Sequence, residues 1–338
     1  MITVIISIII FGLLIGVHEA GHLIAAKKCG VLVHEFSIGM GPKIFSFTKG
    51  ETLYSLRLIP IGGFCGMEGE DTQSTSSRAF CNKHPLKKII ILVSGALMNI
   101  LLGFIAINIM FSFSESLPTT YIKDVKENTS AYTQGLKPGD KILKIDNKNV
   151  RIYSDISFIL QFSDKDTVSV EVLRDNRNLE FNIVPYKENG GRYLGITMGN
   201  VKNNFLNLIK YSFEHMLFIV RMVIASLWML LTGAVSIKEA SGPVGIVSVI
   251  NEATKSGMGT ALFLNILNIV SLISINLGVF NLIPLPALDG GRTVFAFFEL
   301  ITKKKVPAKV ESIVNGVGLM ALLILMLFIT YNDIVKFF

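Results

Sequence analysis

A 338-residue chain that is 51% hydrophobic and only 17% charged, with a mean hydropathy of +0.55, is too apolar for an ordinary soluble domain of this length. Its formal charge of +7 comes without an Arg-rich stripe or a nucleic-acid motif, so membrane topology accounts for the excess and no nucleic-acid partner is expected. Three cysteines, Cys29, Cys65 and Cys81, have no CxxC spacing and point to neither a disulfide framework nor a thiolate zinc site.

The first apolar run, about residues 2–26, is long enough to cross a bilayer and ends at Lys27 and Lys28, which predicts a cytoplasmic C-terminal end. It lacks the basic start and small-residue cleavage site of a removed signal peptide. Gly-rich turns follow, then a strand-like stretch from Thr52 to Ile59 inside a loop of about residues 50–67. Lys83, His84, Lys87 and Lys88 keep this segment cytoplasmic, and a second span, about 89–113, returns the chain outward. The N-terminal membrane half is thus 1–113.

Residues 120–200 read as a soluble β-rich module: alternating runs such as Val168 to Val172 are punctuated by turns at Pro138-Gly139-Asp140, Asp146-Asn147 and Asp175-Asn176. The next apolar region, 205–231, is interrupted by Lys210, Glu214, His215 and Arg221, and a tilted span and an in-plane helix both fit it. A third span, about 261–285, precedes Lys303, Lys304, Lys305 and Lys309, which place its end in the cytoplasm. The last, about 314–331, lies in a C-terminal half covering 241–338. With the second span running out and the third running in, 205–235 must make no net crossing, which favours an interfacial helix and about four transmembrane helices.

His18-Glu19-Ala20-Gly21-His22 is HExxH, in which two imidazoles at i and i+4 face one way and can bind one Zn²⁺, with the intervening glutamate as general base. Ionisable groups in an apolar span are costly, about 2.5–3.5 kcal/mol each on insertion scales, and mark function by default. A catalytic zinc needs a third protein ligand and an open position. Asp289, in the run Asn281-Leu282-Ile283-Pro284-Leu285-Pro286-Ala287-Leu288-Asp289-Gly290-Gly291, is the candidate, because Pro284 and Pro286 free backbone where it must be buried or line a wet cavity. Taken alone, that segment reads equally as a turn capping the next helix.

These motifs, with Ser37-Ile38-Gly39-Met40-Gly41-Pro42 and Arg57-Leu58-Ile59-Pro60-Ile61-Gly62-Gly63-Phe64, resemble the site-2 proteases, and among them the bacterial RseP/RasP-like regulators with a PDZ domain in the outward loop. The resemblance covers nearly the whole chain. It implies a polytopic α-helical membrane protein with a re-entrant β-hairpin and an inserted β-rich PDZ domain. By it, His18, His22 and Asp289 hold one zinc per chain and Glu19 activates water. It further implies a bacterial cell membrane, transmembrane protein or peptide substrates of the anti-sigma-factor or remnant-signal-peptide type, and a site toward the cytoplasm opposite an extracytoplasmic PDZ domain. Arg292 stands where the family often has a histidine, so no ligand is expected there.

Leu56, Arg57, Leu58, Gly62 and Gly63 are candidates for an edge that accepts an unwound substrate by β-addition. Asn281 and Asn99 are amides in apolar helices that could hold the substrate backbone; for Asn99, four residues after Gly95, helix packing fits equally well. Within the module, Gly135 to Asp146 resembles a PDZ domain, with Tyr193-Leu194-Gly195-Ile196 as its peptide-carboxylate loop. A peptide receptor and a steric filter against bulky ectodomains are both consistent with it. A metal transporter would string ligands across several helices, whereas here they gather at one depth. A non-catalytic adaptor would have no need of Glu19.

Overall fold

The computed structural model describes residues 2–70, 72–188, 190–236, 242–255 and 258–337. Residue 241, where the C-terminal half was expected to begin, lies outside them. Two compact units emerge: one formed by Met1–Ala106 with Ile219–Phe338, the other by Ile107–Phe218.

The first unit begins with α1 (Ile2–Lys28), whose apolar run carries HExxH in its last third. After it come β1 (Val33–Lys49) and β2 (Thr52–Met67), then α2 (Pro85–Ser112). Gly39 and Gly41, at φ +87° and +84°, do not end β1 as expected of a turn-rich stretch but bend it. The ribbon folds back on itself: Phe36, Ser37 and Ile38 stand against Cys65, Phe64 and Gly63 on one side and against Tyr54, Ser55 and Leu56 on the other. The strand passage, β1 with β2, is therefore longer than the expected β-loop of about residues 50–67.

Many apolar side chains on these helices face outward. Val4, Ile5, Ile9 and Leu13 of α1, and Ile90, Leu97 and Leu101 of α2, are exposed. In water such a surface would drive aggregation; in hydrocarbon it is the solvated face. The interior is small by comparison. Ala25, Ala26, Val31, Val33, Phe80, Ile91 and Leu92 form one cluster, and Ile10, Leu14, Ala106, Ile250, Ile269 and Val270 another.

The second unit holds β3 (Ser116–Val125), α3 (Ser130–Thr133), β4 (Lys141–Ile145), β5 (Lys148–Asn149), α4 (Tyr153–Gln161), β6 (Val168–Arg174), β7 (Arg177–Ile183), β8 (Tyr186–Glu188), β9 (Gly191–Tyr193) and β10 (Ile196–Lys202). The main sheet runs β10-β3-β4-β6-β7, with β5 paired to β4, so β10 is an open edge. Alternation puts Val168, Val170 and Val172 fully inside with Ile142, Ile145 and Ile183. Here the apolar residues are interior, as in a water-soluble domain.

The chain continues with α5 (Phe205–Leu231), α6 (Pro243–Lys255), α7 (Thr260–Leu282), α8 (Asp289–Thr302) and α9 (Ala308–Phe337). Five helices are long and apolar enough to cross a membrane among the described residues, and α5 is the fifth, at a mean hydropathy of 1.7 against 2.0 to 2.5 for the others. Length and composition thus leave α5 able to span, despite its charged interruptions.

Candidate metal centre

Helical spacing puts His18 and His22 on one face of α1, one turn apart, and α8 starts with Asp289 directly opposite. His18 Nε2 lies 3.1 Å from Asp289 Oδ2, His22 Nε2 lies 3.2 Å from the same oxygen, and the two Nε2 atoms are 3.2 Å apart. The side chains are only 12%, 9% and 20% exposed. Three donors each about 2.1 Å from one tetrahedral ion would stand about 3.4 Å apart, so this near-equilateral triangle has the size of a three-ligand zinc site. These residues also form the only group of three or more candidate metal ligands among the described residues.

The supporting shell comes from α2. His22 Nδ1 lies 2.9 Å from the carbonyl of Ile91, which orients the ring and turns Nε2 toward the centre. Gly95 makes room for both rings: a Cβ there would stand 2.4 Å from His22 Nε2 and 2.8 Å from His18 Cε1. One turn on, Asn99 is fully buried, with Nδ2 3.3 Å from His18 Nδ1. A Cβ at Gly21 would meet Ser94 O at 2.5 Å, so α1 and α2 approach closely at the level of the motif. Only glycines at these two positions permit it.

Glu19 borders the ribbon. A Cβ at Gly63 would lie 3.3 Å from Glu19 Cγ and 3.0 Å from Ile15 Cγ2, which places the final strand pass beside this carboxylate. Gly63 pairs on one side only, with Ile38. The edge anticipated at Leu56 is closed, because Leu56 pairs with Ile38 and also with Phe45. Among the described residues Arg57 pairs only with Lys43, and its guanidinium donates to Glu35 Oε1 and to the Gly41 carbonyl, so its side chain braces the ribbon. Leu58 is exposed, at 61%. Gly62, at φ +89°, turns the strand ahead of Gly63. Strand pairing, which the linear pattern does not reveal, closes the candidate edge at Leu56 and leaves it one-sided at Gly63 among the described residues. Asn281, at the end of α7, is half-buried, and its side-chain amide has no hydrogen-bond partner among the described residues.

In the second unit, Tyr193 is exposed at 46%, Leu194 is buried in the core, and Gly195 has φ +79° with its carbonyl accepting from Lys126 N. Ile196 begins the edge strand β10 and pairs with Val125. A cleft of about 140 Å³ is lined by Tyr153, Ile156 and Leu160 of α4 and by Tyr193, Gly195 and Ile196.

The sequence reading singled out neither Gly95 as a space-maker nor a polar cluster one turn beyond Asp289. Arg292 donates from Nη1 to Glu70 Oε1 at 2.6 Å and from Nη2 to the Glu70 carbonyl, with Glu311 Oε1 3.6 Å from its Nε. It thereby ties α8 to the loop after β2 and to α9. Its place after LDGG was the available signal, but the partner lies 222 residues away.

The profile described as Peptidase family M50 matches residues 6–325. A Clostridium perfringens protein with a provisional zinc metalloprotease name is 37% identical over 98% of this chain and 98% of its own. Zinc metalloprotease RasP of Bacillus licheniformis is 30% identical over 100% of both chains, and the regulator of sigma-W protease RasP of Bacillus subtilis is 29% identical over 99% of both. The solved PDZ domain of an SdrC-like protein from Listeria innocua is 26% identical over 25% of this chain and 99% of its own, at a TM-score of 0.23.

Proposed function

Since the chain belongs to peptidase family M50, the site-2 proteases, we propose that it is an intramembrane zinc metalloendopeptidase that cleaves transmembrane segments of other membrane proteins, with one Zn²⁺ held by His18, His22 and Asp289. The observation that carries this is the triangle of 3.1 to 3.2 Å among the three donor atoms, one residue from Glu19 in an apolar helix. When bound, the zinc would acidify a water to a pKa of about 7 and polarise the scissile carbonyl.

The remaining steps belong to the protein. Glu19 accepts the proton of the attacking water and passes it to the departing amine nitrogen, so the peptide bond is exchanged for a carboxyl and an amine. Burial of the three ligands keeps bulk water from competing at the centre. A helical substrate hides its peptide bonds in intrahelical hydrogen bonds and must be unwound. The one-sided strand from Gly62 onward, running beside Glu19, offers an edge on which an unwound segment can pair, and Asn281 has free amide capacity to hold its backbone.

The second unit acts, on this reading, as a PDZ-type module outside the membrane: its open edge β10 and the cleft beside α4 have the form needed for peptide addition, while its bulk alone would screen large ectodomains. The basic residues Lys27, Lys28, Lys87, Lys88 and Lys303 to Lys305 support a metal end that faces the cytoplasm of a bacterial cell membrane. Anti-sigma factors and remnant signal peptides are the proposed substrate types. In this topology α5 makes no net crossing.

The test is reconstitution of the full chain in liposomes with a single-span substrate. Glu19→Gln should lower cleavage about 10²- to 10⁴-fold while zinc content stays at one per chain. Undiminished cleavage by that variant, or a wild-type protein without zinc, would overturn the mechanism.

A further inference from the structure

Asn99 faces neither lipid nor cleft. It is fully buried on α2, one turn after Gly95, and among the described residues its one side-chain hydrogen bond is with His18 Nδ1, at 3.3 Å. Its backbone carbonyl accepts from Ser274 Oγ at 2.7 Å, which fixes this turn of α2 against α7. With Nδ2 turned toward His18, Oδ1 is buried without a hydrogen-bond partner among the described residues. A leucine would pack such a position without leaving a polar atom unpaired, so helix packing alone gives no reason for an amide here.

The two histidines supply the reason. His22 uses Nδ1 on the Ile91 carbonyl, an acceptor, and so presents Nε2 as a lone pair. His18 points Nε2 at the same centre, so its proton must sit on Nδ1, and Asn99 is the group that Nδ1 meets. The oxygen and nitrogen of an amide are interchanged by a half-turn about the last side-chain torsion, and the hydrogen-bond network decides between them. An acceptor is what His18 requires. We infer that Asn99 is a positioning residue of the metal centre, whose Oδ1 accepts the Nδ1 proton of His18 and so fixes the tautomer that presents Nε2 to zinc. This assignment rests on the proposed zinc site and replaces a substrate-holding role for Asn99, since its burial leaves no surface for a substrate. Gly95 clears the space for the rings, and Asn99 sets one of them.

The test is zinc affinity of the full chain in detergent, measured by competition with a chromophoric chelator, together with the visible spectrum of the Co²⁺-substituted protein. Asn99→Leu should bind zinc about 10- to 100-fold more weakly and change the Co²⁺ spectrum. Asn99→Asp, which keeps an acceptor oxygen, should stay within about threefold of wild type. Thermal unfolding of the metal-free forms identifies a variant that fails to fold; should Asn99→Leu do so, Asn99→Ala takes its place with the same expected loss. Wild-type affinity in the Leu or Ala variant, or an equal loss in Asn99→Asp, overturns the role of Asn99 alone. Zinc binding that survives His18→Ala overturns the site itself, and the inference with it.

Discussion

Each unit of this protein holds an aspartate in a polar cluster, and the two carboxylates differ in what surrounds them. In the β-rich unit, Asp140 is 1% exposed and saturated with donors: Arg174 grips it through Nε at 2.6 Å and Nη2 at 2.7 Å, and Lys137 N donates at 2.9 Å. In the membrane unit, Asp289 faces two ring nitrogens that also face each other. The first arrangement is complete as it stands. The second brings three lone-pair donors together, which costs energy unless a proton or a cation sits among them. Burial of an acid is therefore not itself a sign of chemistry; the character of its partners is.

That contrast can be broken by exchanging charge for amide in each place. Asp289→Asn should weaken zinc binding by more than about 100-fold and abolish cleavage, while amide exchange in the β-rich unit of the full chain stays unchanged. Retained metal would mean that Asp289 is only a helix-capping acid. Asp140→Asn should do the opposite. Losing one partner of a buried ion pair costs about 3 kcal/mol, so exchange protection across β4 and β6 should fall while zinc content holds.

A smaller effect sharpens the picture of the β-rich unit. Burial disfavours ionisation of Asp146, yet Ser169 N, Lys165 and Ser163 donate to it and hold its carboxyl below the usual range. A lowered folded value means that its stabilisation is fully present above the unfolded value near 3.9 and is lost as pH falls through the folded one. Acid unfolding of this unit should accordingly shift to higher pH in Asp146→Asn, with no change near neutrality in the pH dependence of stability. An unaltered acid limb would show that the contacts of Asp146 carry no stability.

Much of the membrane unit was legible because its signals are local. Spans announce themselves by length, and HExxH needs only five residues of helix to bring two imidazoles to one face. Asp289 was reachable as well, since prolines and an acid at the end of an apolar run are a conflict that only a buried site resolves. Which part of the candidate edge stays open was not legible, because alternation identifies a strand but not its neighbours, and the double pairing of Leu56 depends on the bends at Gly39 and Gly41. Asn99 was read as equally fit for substrate or packing. An isolated amide in a span has to find a partner, and its position in the chain does not say which.

The sequence by itself determined the kinds of elements and the chemical identity of the donors, because hydrophobic period, helix spacing and side-chain chemistry are properties of short segments. It also separated an apolar membrane half from an alternating β-rich module. Only the tertiary structure decided that Asp289 closes a 3.1 to 3.2 Å triangle with histidines some 270 residues away, that Gly95 is the absence of a side chain on which this depends, and that Asn99 meets His18. Distances between helices are set by how side chains of separate segments fill shared space, and that information does not reside in any one of them.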